Sequence, residues 1–185
     1  MRVKILLGLM AVLPVVAGAQ ITIPAVQSRA VSFAFEDVDW GVPPTRIPRD
    51  EAYHAPTPST IPGARVIRTL DLKALLESDR RVVVVDVVPG PGRRSVPGAW
   101  AFPGFGEGSF SPDARYFYAK ALEIVTAGDK SSPLVFLCVS SECWLSYNAA
   151  LHAIELGYRD VIWFRGGSEA WRAASLPMAV PLGAE

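Results

Sequence analysis

Hydrophobic positions in this chain fall into short continuous runs, separated by longer segments in which they recur with helical spacing. Arg81-Val-Val-Val-Val-Asp86-Val-Val88 is the strongest run. It is apolar and β-branched throughout, which predicts a strand covered on both faces and central in a parallel sheet. Ala64-Arg-Val-Ile-Arg-Thr69, Leu134-Val-Phe-Leu137 and Asp160-Val-Ile-Trp-Phe164 predict further strands, and Val96-Pro-Gly-Ala-Trp100 turns tightly into a shorter one. Helical spacing covers Leu70–Glu77, with Thr69 as the capping residue, and Ala114–Thr126. It returns in Asn148–Leu156, which stops at Gly157, and in Glu169–Ala174. Strands alternating with helices over short connections predict an α/β fold, a parallel sheet flanked by helices. Ligands gather at the carboxyl ends of the strands in such sheets.

The N-terminus departs from this pattern. Residues 1–19 carry Arg2 and Lys4, then an apolar run, then the small triplet Ala17-Gly18-Ala19. This reads as a secretory signal peptide cleaved after Ala19. The run is too short, and too broken by Gly8 and Pro14, for a membrane span of about 20 apolar residues. Export to the periplasm follows, with no membrane attachment after cleavage. Residues 20–61 are rich in proline and read as an extended arm and linker. Within the arm, Ala30–Glu36 alternates like a strand and Asp50–His54 suggests a short helical turn. Tyr53–Pro62 has polyproline character. Phe33, Phe35, Trp40 and Tyr53 are expected to staple the arm to the domain. Residues 62–178 then form the domain and 179–185 a C-terminal tail.

Charge narrows the function classes. Lysine plus arginine number 18 and aspartate plus glutamate also 18, so no net field recruits nucleic acid or an anionic membrane. Cleavage removes two of the basic residues and no acid, leaving a slightly acidic mature chain. Pro89-Gly-Pro-Gly92 lacks the lysine and hydroxyl residue of a phosphate-binding loop, so it reads as a plain turn, with Arg93 and Arg94 on a solvated loop.

The chemistry concentrates in Leu134-Val-Phe-Leu-Cys138-Val-Ser-Ser-Glu-Cys143-Trp144, which holds the only two cysteines of the chain. Cys138 follows a strand and faces the start of a helix, where free N–H groups and the positive end of the helix dipole favour a thiolate or an anion. Val139, Ser140, Ser141, Glu142 and Trp144 complete the loop, and the amides of Ser140 to Cys143 are the candidate anion site. Glu142 opposes both a thiolate and an anionic donor. In an oxidising compartment the two cysteines are either free or joined, and four intervening residues allow them to meet. Asp86, at the end of its strand, is a supporting carboxylate or a ligand of loop backbone; Asn148 and Tyr147 orient the loop or solvate the helix. Trp144 packs over the loop or stacks on a flat cofactor. His54 and His152 are isolated in sequence, and Trp144 stands where a c-type haem site needs histidine. Neither a metal nor a cofactor is expected.

The order of these parts resembles the rhodanese-like domain over about residues 62 to 178. The resemblance rests on Val82–Asp86, Val96-Pro-Gly-Ala99, Leu134–Cys138, Gly157-Tyr158 with Val161–Phe164, and the ending Arg165-Gly-Gly-Ser-Glu-Ala-Trp171. It implies a rhodanese fold, with Cys138 as the nucleophile that forms a persulfide and Cys143 as a second candidate for the loop. Rhodanese-like phosphatases carry an arginine six positions after the cysteine, where this chain has Trp144, so the resemblance does not extend to phosphatase chemistry. Cys143-Trp144 followed by Ser146-Tyr-Asn-Ala-Ala150, with Ala55-Pro-Thr-Pro58 upstream and the signal peptide, resembles the exported PQQ-dependent catabolism-associated CXXCW motif proteins. Four residues between the cysteines depart from the spacing in that name. Two functions are therefore expected as alternatives. One is sulfane-sulfur transfer from a small sulfur donor. The other is a non-catalytic or thiol–disulfide accessory role toward a thiol/redox protein partner, a cofactor or a PQQ-dependent oxidation component.

Overall fold

The computed structural model describes residues 31–183. The expected signal peptide and the first part of the expected arm lie outside the described residues. Among those described, five strands form one parallel sheet: β1 (Arg65–Val66), β2 (Val83–Asp86), β3 (Trp100–Ala101), β4 (Leu134–Leu137) and β5 (Val161–Phe164), in the order β1-β5-β4-β2-β3. Four helices flank it: α1 (Thr69–Leu76), α2 (Pro112–Val125), α3 (Trp144–Glu155) and α4 (Gly167–Ala173). The expected α/β architecture is present. β4 holds the middle position, however, and β2, from the longer β-branched run, lies beside it. Burial on both faces makes a run apolar, and every residue of β2, β4 and β5 is buried, so apolarity alone does not rank them.

The two sides of the sheet build two cores, because alternate residues of a strand point to opposite faces. Val83, Val85, Leu134, Phe136, Val161 and Trp163 pack with α2 and α3 through Leu122, Val125, Tyr147 and Leu151. Val84, Val135, Leu137, Ile162 and Phe164 pack with α1 and α4 through Leu72, Ala170 and Trp171. Residues 179–182 close the edge beside β3: Ser95 pairs with Ala179, and Leu182 pairs with Trp100 in parallel sense.

The arm differs from its sequence reading at three points. Residues 31–36 form no strand; a turn begins at Ala34, with Ala34 and Phe35 in left-handed backbone, and Phe35 is exposed beside Trp40. Only Phe33 and Tyr53 of the four arm aromatics pack against the cores, so the staple is half the size expected. Asp50–His54 makes no helical turn, since Ala52 is left-handed and His54 bridges Cys143 in antiparallel sense. Tyr53–Pro62 is extended but is no linker, because its backbone is bonded to the cysteine loop.

The turn at Ala34 has a purpose for α1. Thr69 is not the cap; Arg68 holds that position and makes no capping side-chain bond. The buried Glu36 carboxylate takes over, accepting from Thr69 N at 2.9 Å and Thr69 Oγ1 at 2.6 Å. A carboxylate at a helix start satisfies otherwise orphaned N–H groups and opposes the dipole favourably. Glu36→Ala is expected to lower stability by about 1–3 kcal/mol, the cost of orphaning buried donors, measured by urea unfolding.

His152 is a core residue. Its Nε2 lies 2.7 Å from the Glu107 carbonyl, the Phe110 ring packs tilted against it with centroids 4.3 Å apart, and Nδ1 is buried without a hydrogen bond among the described residues. Burial pushes the imidazole below its usual value; the Glu107 carbonyl and Glu155 pull upward, and Arg115 adds to the downward shift. The unfolded chain then binds a proton that the folded chain refuses. His152 therefore contributes no pH dependence well above about 6.5, and stability falls as pH drops from there through the lower folded value. A urea-midpoint profile is expected to lose this acid limb in His152→Gln.

Candidate functional site

Cys138 is the first residue beyond β4, and Cys143 is the residue before α3. They are joined in a disulfide, with Cα atoms 6.2 Å apart, and each is only 1% exposed. The alternative left open by the sequence is thereby closed toward the joined state. The ring spans Val139, Ser140, Ser141 and Glu142; Val139 and Ser140 are half-buried, Ser141 is buried and Glu142 is exposed. Glu142 is thus the exposed residue of the ring, and its amide donates to the Ser140 hydroxyl at 3.3 Å.

Backbone clamps hold this loop on two sides. On one side runs the strap Tyr53–Thr57. Trp144 N donates to the Tyr53 carbonyl at 2.9 Å, Ala55 N to Glu142 O at 3.0 Å and Thr57 N to Ser141 O at 3.2 Å. The Thr57 hydroxyl adds a 2.6 Å bond to the same Ser141 carbonyl. On the other side is the first turn of α4, where Ser168 N donates to Cys138 O at 3.0 Å and Glu169 N to Val139 O at 2.9 Å. Gly167 stands in left-handed backbone there, and a Cβ would come within 2.6 Å of the Cys138 carbonyl oxygen. Only glycine permits both the conformation and the approach.

The adjoining strands deliver two charged groups to the same end of the sheet. Leu137 pairs with Asp86 of β2 and with Phe164 of β5, which leaves Arg165 beside Cys138 in register. Arg165 is 1% exposed, and no carboxylate lies at ion-pair distance among the described residues. Its guanidinium donates instead to the Glu36 carbonyl at 2.9 Å, the Thr57 carbonyl at 3.1 Å and Thr57 Oγ1 at 3.2 Å. Burial lowers its affinity for the proton, against the fields of Asp39 and Asp37. Sequence reasoning misses this role, because Arg165 reads there as the start of a turn. The available signal is a cation placed directly after a wholly apolar strand.

Asp86 is 2% exposed. Its Oδ1 accepts from Val88 N at 2.9 Å, so it does bind loop backbone, while Oδ2 makes no hydrogen bond. Burial raises its carboxyl above the usual range, against the Ser95 hydroxyl, the Val88 amide and Arg93 at 4.0 Å. Asn148 and Tyr147 face inward rather than to water. Asn148 accepts from Arg49 N and donates to the Arg49 and Gly106 carbonyls, and the Tyr147 hydroxyl bonds both backbone groups of Thr45. Both residues position the arm. Trp144 is packed against Tyr147, with Arg49 5.0 Å over its ring and its Nε1 on the Pro56 carbonyl. That leaves the indole part of the loop's cover.

Among the described residues no cluster of histidine, cysteine and carboxylates has the make-up of a metal site, and no helix is long and apolar enough to cross a membrane. Arg93 is half-buried near Asp86, and Arg94 donates to the Met178 carbonyl.

The strap shields the disulfide, so loosening it is expected to speed attack by a small thiol. Thr57→Val removes one clamp, and Arg165→Met removes the three bonds that tie strap and arm to β5. Reduction by dithiothreitol, followed by thiol alkylation and intact mass, is expected to run severalfold faster in each variant than in wild type. An unchanged rate in both would show that the strap does not control access.

No curated protein sequence matches this chain. Similar solved structures include a thiosulfate sulfurtransferase from Pseudomonas aeruginosa, at 18% identity and a TM-score of 0.47, covering 63% of this chain. The chain spans only 20% of that enzyme's length. An uncharacterized protein from Saccharomyces cerevisiae is 21% identical with a TM-score of 0.46, over 60% of this chain and 92% of its own. A protein of unknown function from Rhodopseudomonas palustris, described as a possible tyrosine phosphatase, is 28% identical with a TM-score of 0.46, over 63% of this chain and 85% of its own. The family model for the rhodanese-like domain matches residues 68–174, from the cap of α1 to the cap of α4. With more than half of its length inside that match, the chain belongs to the rhodanese-like family.

Proposed function

We propose that this rhodanese-like protein carries sulfane sulfur on Cys138 outside the cytosol. The observation that carries the reading is the place of Cys138: the first residue past the middle strand of the sheet, opposite the N-terminus of α3. After reduction, a thiolate there is favoured by the helix end. It attacks the outer sulfur of thiosulfate; the new S–S bond forms on Cys138, the bond to the sulfonate sulfur breaks, and sulfite leaves with the bonding pair. The loop of Val139 to Glu142 is the binding loop of this reading, with Asp86 and Asn148 in support.

Export belongs to the same proposal. It is supported by the signal-peptide pattern of residues 1–19 and by a disulfide suited to an oxidising compartment. The sequence around Cys143-Trp144 supports membership of the PQQ-dependent catabolism-associated CXXCW motif proteins, and hence a partner in PQQ-dependent alcohol oxidation. A second reading, a non-catalytic or thiol–disulfide accessory protein, is favoured by the disulfide itself, which occupies both thiols.

Sulfite release separates the two readings. The reduced, anaerobic protein is expected to release one equivalent of sulfite per chain from thiosulfate, and Cys138→Ser none. A reduced wild type that yields no sulfite, yet exchanges its disulfide with protein thiols, would favour the accessory role instead.

A further inference from the structure

We infer that Cys143 is a resolving cysteine, which expels the carried sulfur as hydrosulfide and leaves the disulfide seen here. The inference rests on the sulfur-carrier reading and goes past it by assigning the product and the class of partner.

The clamps supply the first argument. Every bond that holds the loop, from Tyr53, Ala55 and Thr57 on one side and Ser168 and Glu169 on the other, runs between groups other than the sulfurs. The frame that sets the two cysteines within bonding reach therefore does not depend on the S–S bond. A persulfide formed on Cys138 sits in that frame with Cys143 already beside it. Well-oriented intramolecular groups act with effective molarities of about 10⁵ M or more, far above any dissolved thiol.

Position supplies the second argument. Cys143 is the capping residue of the 12-residue helix α3, yet its side chain makes no capping hydrogen bond. A thiolate there gains from the helix dipole, and it is not committed to holding the helix. Its neighbour Glu142, which opposes an anion, is exposed, so solvent screens its charge.

The step balances without an outside oxidant. The Cys143 thiolate attacks Sγ of Cys138 in the persulfide. The Cys138–Cys143 bond forms, the bond from Cys138 to the outer sulfur breaks, and that sulfur leaves as hydrosulfide with the bonding pair. The outer sulfur is reduced to sulfide, and the two cysteines together lose two electrons. A protein dithiol then returns those electrons by exchange through a mixed disulfide, becoming a disulfide itself. The partner this chemistry requires is a dithiol reductant of the compartment in which the protein works.

Reduced, desalted protein is treated anaerobically with one equivalent of thiosulfate, and in parallel with glutathione persulfide. Hydrosulfide, sulfite and intact mass are then read. Wild type is expected to release one hydrosulfide per chain and to finish two hydrogens lighter than the dithiol. Cys143→Ser is expected to finish one sulfur heavier and to release no hydrosulfide. Wild type that takes up sulfur and keeps it, without hydrosulfide, would overturn the resolving role and leave the carrier reading standing. Release of hydrosulfide by Cys143→Ser at the wild-type rate would do the same. Absence of sulfur uptake from either donor would remove both. The wild-type result decides the question even if the variant fails to fold.

Discussion

A guanidinium buried without a carboxylate has to find its partners among backbone oxygens, and in this protein that requirement organises the arm. Arg165 leaves the apolar strand β5 with its charge inside the molecule. Its acceptors come from two separate arm segments, the carbonyl of Glu36 and both oxygens of Thr57. Removing either segment would strand a buried charge, which costs more than any one hydrogen bond returns. Both segments are held for reasons that differ from apolar packing. Each also serves a neighbour, since Glu36 caps α1 and Thr57 closes over the cysteine loop.

The cysteine loop is thus bounded by elements from opposite ends of the chain. The strap comes from before the domain, and the Gly166-Gly167 turn from its end. Between them the loop backbone has little freedom, although it lies at a strand-to-helix junction, where backbone is usually adaptable. Rigidity here concerns the positions of two sulfurs more than the stability of the fold. It lets a helix-end thiol and a strand-end thiol meet without a loop search.

What the sequence disclosed depended on range. Strands such as Val83–Asp86 and Val161–Phe164, and the stop at Gly157, are set by neighbours within a few positions, so their patterns were legible. The closeness of Cys138 and Cys143 was legible for the same reason, as was the link of Asp86 to nearby backbone. The arm was not. Its conformation is fixed by contacts from Glu36 to Thr69, Thr45 to Tyr147, Arg49 to Asn148 and Thr57 to Arg165, all distant in sequence. Alternating residues at 31–36 imitate a strand because Phe33 faces inward and Phe35 outward, although the backbone between them turns. Asn148 and Tyr147 read as orienting the cysteine loop or solvating a helix face, and not as holding the arm, since the arm that buries them has no periodicity of its own.

The pairing of the C-terminal residues with β3 bears on how molecules of this protein meet one another. A parallel sheet ending in a two-residue strand presents unmatched amide and carbonyl groups, which are a template for another chain. Leu182 supplies a donor to Ala99 and an acceptor to Ala101, and Ala179 exchanges both bonds with Ser95. The final segment therefore occupies the border along which a second sheet would grow. Its contribution to solubility would exceed what its few contacts suggest, and shortening the chain there would expose a surface prone to self-association.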